Sequence, residues 1–237
     1  MANQPNFLFI MTDQLRPDHT GFGGNQIVQT PHLDRLSSQS IQFNRAYCTN
    51  PMCGPSRASI FTGRMPSAHG SWVNIVGLDW FANTFVRVLR EGGYQTGLIG
   101  KSHLQEFMSL GDRVKGQPNL SLDTPPPTNE TLKRRFPLKG EGDAVRAPYP
   151  VDWNLWEDQI RHREEYVQIP SDYYGFDRVE LVCSHADLPD GHYRHWFAER
   201  GGDIATMGGY DNAARRSKVW KQVYCSNIPA DLYPTSY

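Results

Sequence analysis

Apolar and polar positions alternate along the first hundred residues in a way that predicts strands and helices in turn. Residues 6–12 are an apolar run that ends at Asp13, which is typical of a strand buried on both faces. Thr30 followed by Pro31 is typical of an N-cap and the first position of a helix. The alternation indicates an α/β fold whose central sheet is mostly parallel and flanked by helices. The predicted strands are about 6–12, 41–47 and 94–100, and the predicted helices about 31–39, 55–63 and 82–91.

Chemically useful side chains follow each of the three predicted strands. Asp13 follows the first, Cys53 follows the second after a short loop, and Lys101 and His103 follow the third. Ligands of open α/β sheets bind outside the carboxyl ends of the strands. We therefore expect these four side chains to meet at one edge of the sheet.

The segment from Cys53 to Arg57 predicts an anion site. Pro55 suits the first position of a helix, which would place Cys53 just ahead of it. Free backbone N–H groups and the positive end of the helix dipole favour an anion there, and Arg57 adds a charge that could reach one. Sulfate or phosphate would fit, and the plainer alternative is a buried cysteine beside a helix that starts with proline.

Beyond Leu104 the pattern changes. Residues 109–170 contain many prolines among charged residues, which predicts a loop insertion. A loop of that length either carries function, here substrate specificity, or is a mobile insertion, and both alternatives stay open. Further on, a short helix is predicted at 192–201. His192 and His195 lie on one face of it and could bind a metal, although packing histidines are the preferred interpretation.

Composition narrows the class of protein. The chain has 237 residues, 38% of them hydrophobic, and a formal net charge of −1, which fits a globular enzyme and predicts neither nucleic acid nor an anionic membrane surface as a partner. No apolar stretch has the length of a membrane span, and the N-terminal residues lack the features of a signal peptide, so a cytoplasmic location is expected. Four irregularly spaced cysteines predict neither a disulfide framework nor a zinc knuckle.

Several segments resemble the sulfatase family. Cys53-Gly54-Pro55-Ser56-Arg57 resembles its maturation signature, Thr30-Pro31-His32-Leu33-Asp34-Arg35-Leu36 resembles a segment upstream, and Gly100-Lys101-Ser102-His103-Leu104 resembles a third segment, with Ser102 where the family has Trp. The resemblance is dense as far as residue 104 and sparse beyond it. It implies the α/β fold of the alkaline-phosphatase-like superfamily.

The resemblance also implies a mechanism. A maturation enzyme would oxidise Cys53 to formylglycine, whose hydrate would attack the sulfur of a small-molecule sulfate ester. A divalent metal held by Asp13 and by the oxygens at position 53 would activate the hydrate, with Gln14 either a weak oxygen ligand of the metal or a residue that orients Asp13. Arg57 and Lys101 would offset negative charge, and His103 would hydrogen-bond the hydrate or a substrate oxygen. The predicted activity is that of a sulfuric ester hydrolase, similar to an arylsulfatase.

Two departures from the family pattern keep alternatives open. Many sulfatases have a second Asp where this chain has Gln14, and the single Asp is similar to phosphonate monoester hydrolases and choline sulfatases. Ca²⁺ is the metal expected first, with Mn²⁺ or Zn²⁺ as alternatives. The later Asp-His or Asp-Asn pair of the family is missing from residues 1–237, so we interpret the chain as the N-terminal portion of a catalytic domain, incomplete at its C-terminus and weakly active or inactive alone. A phosphonate or phosphate ester hydrolase and an inactive anion-binding fragment are the competing interpretations.

Overall fold

The computed structural model describes residues 4–105, 155–185, 188–220 and 224–237. Its contacts divide the chain into two compact units, of which the first ends at Cys48 and the second begins at Thr49. In the described part of the chain, no helix combines the length and the apolar character needed to cross a bilayer.

The first unit contains helix α1, Pro31–Ser38, and a 3-10 helix, Pro17–His19. Pro31 begins α1 as predicted. Thr30 occupies the N-cap position, but its hydroxyl does not cap the helix. Instead it accepts a hydrogen bond from the Gly21 N–H (2.8 Å) and donates one to Asp34 Oδ1 (2.9 Å). The hydroxyl therefore joins the preceding loop to α1.

The strands predicted at 6–12 and 41–47 are wrong. No strand is assigned within the described residues of the first unit, and the side chains of the apolar run from Phe7 to Ile10 are 60–87% exposed. Ile41 and Phe43 in the other segment are exposed as well. A strand exists only where a neighbouring strand completes its ladder of backbone hydrogen bonds. The apolar run indicates that these residues favour burial. It does not determine whether a neighbouring strand pairs with them.

The second unit holds the remaining elements. Its helices are α2 (Cys53–Thr62), α3 (Pro66–His69), α4 (Phe85–Glu91), α5 (Gln159–Glu164), α6 (His192–Glu199) and α7 (Gly209–Asn212). Two 3-10 helices lie at Ile204–Thr206 and Pro234–Ser236. Its strands are β1 (Gly97–Gly100), β2 (Arg178–Cys183), β3 (Asp190–Gly191), β4 (Arg215–Arg216) and β5 (Tyr224–Cys225).

Strands β1, β2 and β3 form one sheet in that order. β1 runs parallel to β2, with Gly97 opposite Arg178 and Gly100 opposite Leu181, and β3 pairs antiparallel with the end of β2. The strand predicted at 94–100 is thus confirmed as β1. The loop that follows it, from Lys101 onward, leaves the carboxyl end of a parallel strand, where the sequence predicted functional groups.

An aromatic core lies under this sheet and α2. Trp80 packs at 4.5 Å between ring centroids on Trp156 and at 5.3 Å on Tyr174, and Phe61 of α2 stacks at 5.5 Å on Phe85. These rings are large and most of them are buried, so they supply much of the apolar area that holds the unit together.

Most of the loop predicted at 109–170 falls outside the described residues. Its last part, residues 155–170, is not a loop as predicted. It forms α5 and contributes Trp156, Val167 and Ile169 to the core. These apolar side chains lie among prolines and charges, which obscured their pattern in the sequence. The structure therefore describes a packed end to this segment.

Candidate active site

Cys53 begins helix α2. The preceding Met52 is extended and forms the N-cap, and the Ser56 N–H closes the first turn on the Met52 carbonyl at 3.0 Å. The helix therefore starts two residues earlier than predicted, and Pro55 is its third residue. Proline is tolerated there because the N–H groups of the first turn have no acceptor inside the helix. Cys53 consequently lies within the first turn, beside those N–H groups.

Two side chains approach the sulfur of Cys53. Sγ lies 3.5 Å from Asn74 Nδ2 and 3.7 Å from Asn74 Oδ1, and it lies 4.0 Å from Nε2 of His185. His185 follows strand β2 and is exposed, whereas Asn74 is half-buried in the loop after α3. The cysteine is thus surrounded by an amide that can donate and accept and by an imidazole.

Gly54 permits a close approach behind the cysteine. Its backbone N–H donates to Asn74 Oδ1 at 3.0 Å. A Cβ atom added to Gly54 would lie 3.2 Å from Asn74 Oδ1 and 3.5 Å from Nε2 of His103. His103 therefore contacts the first turn of α2, which brings the loop after β1 to the cysteine-bearing end of the helix.

Arg57 joins the same two segments. Its guanidinium is buried, with 5% of the residue exposed, and Nη1 donates to the backbone carbonyl of Lys101 at 2.5 Å. Lys101 itself is partly exposed. The structure thus brings Cys53, Arg57, Lys101 and His103 into one region of the second unit.

His103 is buried, 1% exposed, and its backbone is left-handed with φ at 51°. Burial, reinforced by the positive charges of Lys101 and Arg57, lowers the pKa of its imidazole to about 3, against the opposing effect of a hydrogen bond to the backbone of Asn74. The imidazole is therefore neutral near pH 7. A neutral imidazole can donate one hydrogen bond and accept another.

A second pair near α2 resembles a nucleophile with its base but cannot act as one. Ser59 Oγ lies 2.9 Å from His69 Nε2, and the Ser71 N–H donates to His69 Nδ1 at 3.2 Å. Because Nδ1 accepts that bond, the proton of the neutral ring lies on Nε2, which then donates to Ser59. Burial, with the nearby Arg64, lowers the pKa of His69 to about 4. This pair stabilises α2 against the following loop.

The two histidines of α6 are packing residues, which confirms the preferred interpretation of the sequence. His192 Nδ1 accepts from the Leu181 N–H at 3.1 Å, and its Nε2 lies 2.9 Å from the Val167 carbonyl. His195 Nε2 lies 3.1 Å from the His162 carbonyl. Both ring nitrogens of His192 and Nε2 of His195 lie within hydrogen-bond distance of the backbone, which is the arrangement of packing residues.

The residues that the structure describes do not by themselves form the expected metal centre. No group of three or more His, Cys, Asp or Glu side chains that could hold an ion occurs in these ranges. Asp13 and Gln14 belong to the first unit and Cys53 to the second, so their approach to each other stays a prediction. Gln14 has a left-handed backbone, φ 44°.

Comparison with known proteins assigns the family. The model of the sulfatase family matches residues 5–177, which is most of the chain. The chain belongs to the sulfatase family. This family generally uses formylglycine and a divalent metal. The matched range includes Cys53 and the loop after β1, so the resemblance read from those two segments is confirmed.

Curated sulfatases resemble the N-terminal part of the chain. An N-acetylglucosamine-6-O-sulfatase of Bacteroides thetaiotaomicron is 41% identical over 108 residues, which are 44% of this chain and 18% of the relative. An arylsulfatase of Clostridium perfringens is 39% identical over 108 residues, 45% of this chain and 22% of the relative. The match thus spans about a fifth of the length of these relatives.

A solved structure confirms the fold. The phosphonate monoester hydrolase of Agrobacterium radiobacter aligns with 94% of this chain and 34% of its own, with a TM-score of 0.55 and 21% identity. The predicted alkaline-phosphatase-like α/β class is therefore correct. At this identity the likeness carries the fold alone.

Sequence reasoning missed three residues of the site: Asn74, His185 and Glu157. Asn74 lies in a loop between apolar residues, after Trp72 and Val73 and before Ile75 and Val76, with no motif to mark it. His185 lies just after strand β2, which is not among the strands predicted from the sequence. Glu157 is buried and accepts hydrogen bonds from the loop that contains His103. Its signal was one of two adjacent carboxylates, Glu157 and Asp158, within a segment predicted to be a loop.

Proposed function

We propose that this chain carries the nucleophile of a sulfatase that hydrolyses sulfate esters, with Cys53 as the precursor of formylglycine. The observation that carries the proposal is the position of Cys53 in the first turn of α2, with Asn74 and His185 at its sulfur. The polar surroundings of that atom suit a hydrated aldehyde, whose two hydroxyl groups need donors and acceptors. A buried thiol that only packs against its neighbours would not need these polar groups.

The chemistry takes two steps. In the first, one hydroxyl of the hydrate loses its proton and its oxygen attacks the sulfur of the ester, while the bond from sulfur to the alcohol oxygen breaks and the alcohol leaves with a proton. In the second, the other hydroxyl loses its proton, the aldehyde carbonyl reforms and the bond from carbon to the sulfated oxygen breaks. Sulfate leaves, and water restores the hydrate.

Each side chain near Cys53 has a role in this scheme. Lys101 and Arg57 offset the negative charge of the sulfuryl group. His103, neutral because its pKa is about 3, hydrogen-bonds the hydrate or a substrate oxygen without taking its proton. His185 is exposed and its Nε2 lies 4.0 Å from the sulfur, so it is the candidate acceptor for the second proton.

Asp13 and Gln14 are the candidate oxygen ligands of the divalent metal that the family generally uses. Ca²⁺ suits a site of carboxylate and amide oxygens, and Mn²⁺ or Zn²⁺ are alternatives if a histidine joins them. The described residues do not assemble this site, so the roles assigned above are restricted to the side chains around Cys53.

The substrate is proposed as a small-molecule sulfate ester and the partner as a sulfatase-maturation enzyme. The names of the two relatives refer to different alcohols, a sugar in one and an aryl group in the other. The positive charges of Arg57 and Lys101 would interact with the sulfate group and not with the alcohol. The proposal therefore stops at the sulfate ester.

One observation favours a second candidate, a phosphonate or phosphate ester hydrolase. Asp13 is followed by Gln14, which leaves one carboxylate where many sulfatases have two. A site with one carboxylate carries less negative charge than a site with two. It repels a phosphonate monoester no more than it repels a sulfate ester, so the same groups could serve either substrate.

Turnover of an aryl sulfate and an aryl phosphonate monoester, measured side by side after co-expression with a maturation enzyme, tests the proposal. We expect aryl sulfate to be hydrolysed faster, Cys53→Ala to abolish turnover, and Cys225→Ala, at an exposed cysteine elsewhere in the unit, to leave it unchanged. Faster turnover of the phosphonate would favour the second candidate. Binding of sulfate without turnover of either ester would identify an inactive anion-binding fragment.

A further inference from the structure

The loop that carries His103 is organised around one buried carboxylate. Glu157 Oε2 accepts from the His103 N–H at 2.8 Å, and Oε1 accepts from the Leu104 and Gln105 N–H groups, each at 2.9 Å. Three successive backbone N–H groups thus converge on the two oxygens of one side chain. Such a concave arrangement of consecutive N–H groups is a preferred site for an anion.

This arrangement explains a backbone conformation that is otherwise unfavourable. His103 has φ at 51°, in the left-handed region that is unfavourable for a residue with a Cβ atom. The turn there points all three N–H groups to the same side. Hydrogen bonds to a charged acceptor contribute enough to hold it.

Further contacts fix the carboxylate. The Tyr173 hydroxyl donates to Glu157 Oε1, and the same hydroxyl oxygen lies 3.1 Å from Ser102 Oγ. Gln105 Oε1 accepts from the Trp156 N–H at 3.1 Å, which ties the loop to the residue beside Glu157. Glu157 is 1% exposed. The loop therefore faces a rigid acceptor, away from water.

The charge state follows from the number of donors. Burial raises the pKa of the Glu157 carboxyl, while the bonds from Tyr173 and from the three backbone N–H groups act in the opposite direction. An ionised carboxylate can accept all four hydrogen bonds, whereas a protonated one would direct its own proton at a donor. The geometry fits the ionised form.

We propose that Glu157 is a positioning residue of this site, which holds the His103 imidazole against the first turn of α2 by binding the backbone of residues 103–105. The proposal rests on the proposed sulfatase function for its effect on turnover. In the same loop, the Lys101 carbonyl accepts from Arg57 of α2 at 2.5 Å. The loop is thus clamped by a buried cation at residue 101 and by a buried carboxylate at residues 103–105, which include the left-handed residue His103.

The test compares Glu157→Gln with Glu165→Gln, which removes an exposed carboxylate that pairs with Arg161. The amide of Gln keeps one oxygen and presents an N–H group to a backbone donor in place of the other. In the chain itself, followed by NMR amide exchange, we expect the His103–Gln105 amides to exchange at least about tenfold faster in Glu157→Gln only. Unchanged exchange at these amides would overturn the proposal.

Turnover of aryl sulfate supplies a readout that a purely structural role would not move. We expect Glu157→Gln to lower kcat about tenfold or more with KM changed less than about threefold, because His103 acts on the reacting oxygens and not on binding. If kcat and the folded fraction of Glu157→Gln fell by the same factor, unfolding alone would explain the loss of activity. That result would overturn the positioning role. If wild type shows no turnover, the chain is inactive alone, and amide exchange alone then decides whether Glu157 holds the loop.

Tyr173→Phe keeps the test decisive if Glu157→Gln does not fold. It leaves the carboxylate in place and removes one of its donors. We expect a smaller acceleration of exchange, confined to the same three amides, and a smaller loss of kcat. No change at these amides in a folded Tyr173→Phe chain would contradict the proposed clamp.

Discussion

Asn74 Oδ1 lies 3.0 Å from the backbone nitrogen of Gly54 and accepts its hydrogen bond, while the same amide group touches the sulfur of Cys53. One side chain thus satisfies an N–H group of the first turn of α2 and supplies polar contacts to the residue that begins it. The orientation of Asn74 is fixed by this bond, with its oxygen toward Gly54.

Replacing Asn74 with Asp should slow the alkylation of unmodified Cys53. Asp keeps the acceptor for Gly54 but places a negative charge about where the amide was, and a neighbouring anion disfavours the reactive thiolate. We expect the rate with iodoacetamide near pH 8 to fall about threefold or more. Asn212→Asp, at an exposed position at the end of α7, is the control and should leave the rate unchanged. Equal rates for Asn74→Asp and wild type would show that the amide does not influence the sulfur.

Shortening the buried cation of α2 should destabilise the second unit. Arg57→Lys cannot reproduce the planar donor group that reaches the Lys101 carbonyl, and it leaves a buried ammonium with fewer partners. We expect a loss of about 2 kcal/mol in the free energy of unfolding, measured by urea denaturation. Arg35→Lys, at an exposed position of α1, should cost less than about 0.5 kcal/mol. A loss for Arg57→Lys as small as that would remove Arg57 as a link between α2 and the loop.

Gly175 occupies a turn where backbone approaches backbone. Its φ is 99°, and an added Cβ would lie 2.6 Å from the backbone nitrogen of Arg87 in α4. Gly201 has φ at 84°, and no atom of the described residues lies within 4 Å of an added Cβ, so it is a matched control for backbone strain. We expect Gly201→Ala to cost about 1 kcal/mol and Gly175→Ala about 3 kcal/mol or more in the free energy of unfolding. Similar costs would show that α4 can move away from the turn.

His162 should make the chain less stable in acid. Burial lowers its pKa to about 4, with the Trp156 carbonyl and Asp190 acting in the opposite direction and His192 and His195 reinforcing the shift. Between about pH 4 and its ordinary 6.5, the unfolded chain binds the proton that the folded chain excludes, so stability falls as the pH falls through this window.

The measurement is the free energy of unfolding from pH 4 to 7 in wild type and His162→Gln, which can keep the donor to the Trp156 carbonyl. We expect the slope of wild type to be steeper by up to about 1.4 kcal/mol per pH unit. His32→Gln, on the surface of the first unit, is the control for removing an imidazole as such. Parallel curves for wild type and His162→Gln would contradict a neutral, buried His162.

The sequence predicted the second unit better than the first. The starts of α2 and α4 came within three residues of their observed positions, and β1 lies inside its predicted range, because these elements are set by local signals such as Pro55, the capping Thr84 and the glycines around β1. The apolar run from Phe7 to Ile10 carried an equally strong signal for a strand. It failed because a strand also depends on a neighbour, which no local pattern encodes.

The residues of the site also divide into those with a local signal in the sequence and those without one. Cys53, Arg57, Lys101 and His103 could be predicted as candidates because they lie in short segments with recognisable chemistry. Asn74, His185 and Glu157 reach the site from distant parts of the chain, through contacts spanning 21, 132 and 54 residues respectively. Only folding shows such contacts, and a buried carboxylate like Glu157 looks in the sequence like any solvated charge.

The mass of the peptide that contains Cys53, after co-expression with a sulfatase-maturation enzyme, tests the central claim most directly. We predict the mass decrease that corresponds to replacing the thiol-bearing carbon by an aldehyde, at Cys53 and not at the exposed Cys48 or Cys225. The aldehyde should also react with a hydrazide reagent. An unmodified Cys53, under conditions in which a known sulfatase is converted by the same enzyme, would contradict the assignment of Cys53 as the precursor of the nucleophile.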